Sequence, residues 1–105
     1  MKLRRDVRDW VVCFHAQQCA EKYLKAFLIR HRAAFPKTHD LLDLLDLAKH
    51  IDPTLELLRP DLMHLEPYAV EFRYPGEFAT REEAKRSIRV VSRVREALRN
   101  LLQLR

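Results

Sequence analysis

This 105-residue chain contains a single glycine, Gly76, only two serines, two cysteines and one tryptophan. One glycine rules out glycine-rich phosphate loops and dinucleotide fingerprints, which need several at fixed spacing. Glycine-dependent hairpins are disfavoured for the same reason. Serine chemistry has little to work with, because Ser87 and Ser92 both fall on one amphipathic stretch near the end of the chain. Cys13 and Cys19 lie six residues apart on one helix and point about 120° away from each other, so they cannot bridge within it. They read as small core residues of a protein in a reducing cytoplasm. The first residues are charged and no apolar run is long enough to span a bilayer, so neither a secretory signal nor a membrane segment is expected.

What is present is helix-forming. Hydrophobic residues make up 48% of the chain, enough for one modest core in a single domain over 1–105. Leucine, alanine, arginine and glutamate dominate, which favours an all-α reading before any periodicity is counted. Lysine and arginine number 20 against 15 acidic residues, for a net charge of +5. That balance permits nucleic-acid or phosphate binding, and it equally describes a solvated, salt-bridged helix surface.

The pattern predicts a first helix from about Arg5 to His31, interrupted on its apolar side. Phe14, Leu24 and Leu28 share a sector that Ala16, Ala20, Tyr23 and Phe27 extend. Gln17 falls inside that sector and Glu21 at its edge. Burying an amide and a carboxylate unpaired costs free energy, so both must find partners. The other side carries His15, Gln18, Lys22 and Lys25 as one polar, mostly basic stripe: a phosphate- or partner-binding face, or a solvated one.

A connection through Pro36 follows, with Thr38 as the expected N-cap of a second helix over about His39–His50. Its leucines form a broad apolar face opposite Asp40, Asp43 and Asp46. Asp52-Pro53 marks another helix start. The helical period then continues through Phe72, interrupted at Pro60 and Pro67. Thr80-Arg81-Glu82-Glu83 is a capping box. It opens a last helix to about Leu102, with Ala84, Ile88, Val91, Val94, Leu98 and Leu101 as its expected core stripe and Arg86, Arg89 and Arg93 as a basic stripe beside it. The sum is a small antiparallel up-and-down bundle of about four helices.

The order "FHAQQ-x-AEKYLKA", "FPKTHDLLDLL", "YAVEFRYPG" and "EEA" resembles the HEPN domain family, over roughly Trp10 to Leu98. It is most similar to the prokaryotic branch encoded beside a small nucleotidyltransferase. The resemblance implies a helical bundle, and it marks one departure, since a helix usual ahead of the "FHAQQ" helix is reduced or missing here. A bundle lacking one wall exposes apolar surface, and a second copy would cover it, so a homodimer is expected. The implied role is the non-catalytic half of a two-component, toxin–antitoxin type system, binding a minimal nucleotidyltransferase partner, a nucleotide or RNA; the alternatives are a homodimeric, metal-independent endoribonuclease toxin and a helical adaptor without nucleotide binding. No cofactor is implied.

Catalytic members of the family pair an arginine with a histidine across four to six intervening residues, for metal-independent RNA cleavage at a dimer cleft. Three pairs here fit that spacing: Arg8 with His15, Arg32 with His39, and Arg59 with His64. About two would arise by chance from this composition, so spacing alone says little. Only Arg59 and His64 stand near the matching segment, and Pro60 fills the place of the expected polar residue. A second candidate is the cluster Tyr68, Glu71, Arg73 and Tyr74, where the arginine binds phosphate and a tyrosine stacks on a base, or where Arg73 pairs internally with Glu21 or Glu71. Thr38, His39 and Asp40 read as a capping segment. The five histidines are scattered, and no metal site is expected.

Overall fold

In the computed structural model, residues 7–69 and 79–102 are described. Their helices are α1 (Val7–Arg30), α2 (Leu41–Ile51), α3 (Arg59–Leu65) and α4 (Arg81–Leu102), with 3₁₀ turns at Pro53–Leu58 and Glu66–Tyr68. The chain is an all-α bundle. Its main core joins Leu24, Phe27 and Leu28 of α1 with Leu41, Leu44 and Leu45 of α2, Leu62 of α3 and Val94 and Leu98 of α4. A smaller cluster at the other end groups Trp10, Cys13, Tyr68, Ala79 and Ala84. There the Trp10 and Tyr68 rings meet edge to face, 5.2 Å apart.

Direction follows from cross-contacts. Arg81 meets Asp9, Ser87 meets Cys13, and Arg30 reaches the Leu102 carbonyl. The sequence offset stays nearly constant, so α1 and α4 run parallel. Along α3 the pairings are Asp61 with Arg93 and His64 with Ser87, so α3 runs against α4. Up-and-down alternation therefore holds from α2 to α4. It departs at α1 because the 31–40 connection doubles back: His39 lies beside Gln17 and Glu21, and α2 sets out again from there.

Helix ends are set by local chemistry. Thr80 Oγ1 accepts from Glu83 N at 3.0 Å, and Glu83 Oε1 accepts from Thr80 N at 2.7 Å, the reciprocal box expected. Asp52 caps a 3₁₀ turn rather than an α-helix, through Thr54 N. Pro60 then falls in the first turn of α3, where a missing N–H costs nothing. The second helix starts later than expected. Asp40, not Thr38, is its N-cap and accepts from Leu42 N and Asp43 N, while Thr38 Oγ1 accepts from Asp40 N. On α4 the core stripe is rotated from the expected one. Ser87, Val90 and Leu102 are buried, and Ile88 is 52% exposed.

Two features make predictions. Arg32 closes α1 with φ 57°, in the left-handed region that glycine occupies without strain. Arg32→Gly should raise stability by about 0.5–1 kcal/mol, strain relief exceeding the added unfolded-state entropy. An unchanged or lower urea midpoint would show that the arginine sits there without penalty. Glu66 Oε1 accepts from Leu41 N at 3.0 Å, so two carboxylates converge on one helix N-terminus. Burial, with Asp40 alongside, pushes Glu66 up to about 7. A raised carboxyl favours the folded state while protonated, so this contribution is full below about pH 4.5 and is lost as pH rises through 7. The urea midpoint of the wild type should carry a falling component between pH 5 and 8 that Glu66→Gln removes. Parallel pH curves for the two proteins would contradict it.

Candidate functional site

The interruption in the apolar side of α1 is a connected polar group. Gln17 is fully buried and Glu21 is 5% exposed. Gln17 Nε2 donates to the His39 carbonyl at 3.0 Å, and Gln17 Oε1 accepts from Gln18 Nε2 at 2.9 Å. Glu21 holds the His39 ring nitrogen Nδ1 at 3.0 Å and Lys25 Nζ at 2.9 Å. Burial pushes Glu21 up, but the bonds from Lys25 and His39 more than offset this and hold it below the usual carboxylate range. The same arrangement splits the stripe on the other side of α1. Gln18 and Lys25 are drawn into the polar group, and Lys25 lies 5.9 Å from the Phe35 ring centroid. His15 and Lys22 are exposed.

A second site lies between α3 and α4. An open cleft of about 420 Å³ is lined by Met63, His64, Pro67, Tyr68, Glu82, Glu83 and Arg86. His64 Nε2 stands 3.4 Å from Ser87 Oγ, which also lies 3.3 Å from Cys13 Sγ. Burial, then the Arg86 charge, holds His64 below the ordinary histidine range, so it is neutral near pH 7. Tyr68 is buried and donates to Glu83 Oε2 at 3.2 Å. Burial first, then Cys13 and Glu83, raises this phenol, and burial also raises the Cys13 thiol. Cys13 is thus a poor nucleophile. The cleft offers a neutral imidazole as proton acceptor and a guanidinium for an anion.

Arg59 is not part of that cleft. It faces α2 and the first 3₁₀ turn, where its guanidinium binds Glu56 and Asp46. Five residues of α-helix set Arg59 and His64 about 140° apart, and the arginine that comes to His64 is Arg86. The sequence reading saw Arg86 only as part of a basic stripe. It missed Ser87, buried between His64 and Cys13, although spacing from Ala84 and Val90 places it on the buried side. Glu71, Arg73 and Tyr74 lie outside the described residues. No group of three or more His, Cys, Asp or Glu suited to a metal ion occurs among the described residues. No described helix is long and apolar enough to cross a membrane.

A helical bundle with a polar group set into its first helix defines the class. The chain matches the HEPN domain family model over residues 3–101, and it belongs to the HEPN domain family. Neither the curated proteins nor the solved structures give a match.

Gln17 is the central donor of the polar group. Gln17→Ala should lower unfolding free energy by about 1–3 kcal/mol, through a cavity and the unpaired His39 carbonyl. A change under about 0.5 kcal/mol in urea titration, as for an ordinary surface position, would mean that the bond to His39 carries no weight.

Proposed function

We propose that this HEPN protein is the non-catalytic half of a two-component, toxin–antitoxin type system, acting as a homodimer that binds a minimal nucleotidyltransferase, a nucleotide or RNA. The observation that carries this reading is the placement of Arg59. Its guanidinium is committed to Glu56 and Asp46 and faces away from His64, so the arginine–histidine pair of an RNA-cleaving HEPN site is not joined within the chain. Family membership supports the reading, and so does the basic balance of +5.

The test is co-purification of the tagged chain with the products of its neighbouring genes, a minimal nucleotidyltransferase being the enzyme sought, with masses read by light scattering. The expected result is a stoichiometric complex. A homodimer that leaves the enzyme unbound overturns the two-component reading.

One observation favours a second reading, a metal-independent endoribonuclease. His64 is neutral in an open cleft and Arg86 stands beside it, which is the acid–base and phosphate-binding equipment such cleavage needs. RNA cleavage by the homodimer that disappears in both His64→Ala and Arg86→Ala would establish it. Intact RNA after incubation with the wild type would dismiss it.

A further inference from the structure

Two parallel helices leave a long seam at the surface. The α4 side of it is Arg81, Lys85, Ile88, Ser92, Arg95 and Arg99, at alternating spacings of four and three. The ion pair from Arg81 to Asp9, 2.9 Å, turns this stripe toward α1. The constant register of the helices sets Ile88 level with His15, between Val12 and Cys19. Half-buried Tyr23 and Val91 pack on the core nearby, and Ile88 is 52% exposed. No acidic residue occurs in the stripe. Asp9 is buried under Arg81, Glu82 leans to Lys85 at 3.9 Å, and Glu96 borders the outer side. Across the seam α1 adds His15 and Lys22, both exposed.

We infer that the α1–α4 seam is a docking groove for an acidic amphipathic helix of a partner protein, one apolar residue resting on Ile88 and Val12 and carboxylates meeting Arg95, Arg99 and Lys22. The groove between parallel helices suits a third helix, and arginines around an apolar centre suit a protein interface. A second copy does not fit, because a two-fold contact sets the basic stripe against itself. A phosphate backbone has no use for Ile88 at the centre. The inference rests on the partner-binding reading above and names the surface that serves it.

The full chain is titrated with a fluorescent helical peptide bearing leucine on one face and glutamate elsewhere, with a lysine counterpart and single-stranded RNA as comparisons. Anisotropy is read at low and moderate salt. The acidic peptide should bind and the lysine peptide should not. Arg95→Gln with Arg99→Gln should weaken binding tenfold or more at low salt, and Ile88→Gln about fivefold, for loss of a half-buried apolar contact. No binding of the acidic peptide, or binding indifferent to Ile88, overturns the inference. So does RNA binding that outcompetes the peptide, needs the arginines and ignores Ile88. The same variants enter the nucleotidyltransferase co-purification. A complex that survives all three substitutions removes this surface while the two-component reading stands. Peptide binding of the expected pattern without any such complex keeps the surface and removes that reading.

Discussion

The bond from the Gln17 amide to the His39 carbonyl decides the course of the chain. It ties the 31–40 connection to the middle of α1 instead of letting the second helix descend from the tip of the first. α2 therefore starts halfway along α1 and runs with it. The next segment must return, which it does as a 3₁₀ turn and α3, and α4 must climb again beside α1. A buried amide is an expensive way to hold a loop, since it is tolerated only when its donor and acceptor are both satisfied. Here both are, and Glu21 secures the same loop a turn further on by holding the His39 ring. The polar residues that spoil the apolar side of α1 are thus the ones that set the topology.

The same return path separates the basic and nucleophilic groups. With α3 antiparallel to α4, residues on opposite sides of α3 have different neighbours. Arg59 turns to the carboxylates of α2 and of the 3₁₀ turn after it, whereas His64 turns to α4 and meets Ser87 and Arg86. A pair adjacent by spacing is thereby parted, and a pair remote in sequence is joined. Ser87 links His64 of the cleft to Cys13 in the core below it, and burial raises the thiol there so that it stays protonated. The thiol therefore adds no nucleophile to the imidazole and carboxylates of the cleft.

Elements whose rules are local were legible in the sequence. The capping box at Thr80, the Asp52-Pro53 start and the apolar sector of α1 depend on residues a few positions apart, and each lies where its chemistry puts it. Thr38 lost the cap of α2 to Asp40 because the Gln17 and Glu21 contacts hold His39 outside the helix. Nothing within the 38–43 segment reveals that. The phase of the α4 core was misjudged because its stripe is narrow and Ile88 looked more apolar than Ser87. Burial there is set by which side α1 and α3 approach, not by hydrophobicity alone. Arg86 beside His64 depends on the same docking. Contacts between distant segments were the illegible part, in the fold and in the site alike.

Charge follows the topology too. Along α2, the first 3₁₀ turn and α3, carboxylates find their own cations: Asp46 and Glu56 share Arg59 and Lys49, and Asp61 takes Arg93. These exposed pairs add little stability, but they neutralise that side of the molecule. The helix α4 carries seven basic residues against three glutamates, and Glu83 is already held by Thr80 and Tyr68. Four of the seven, Arg81, Lys85, Arg95 and Arg99, lie in the stripe beside α1, along a helix about 33 Å long. Self-repulsion along such a stripe costs free energy in the isolated protein. A counter-charged partner laid on it would relieve that cost, so association there gains from a strain that the fold itself creates.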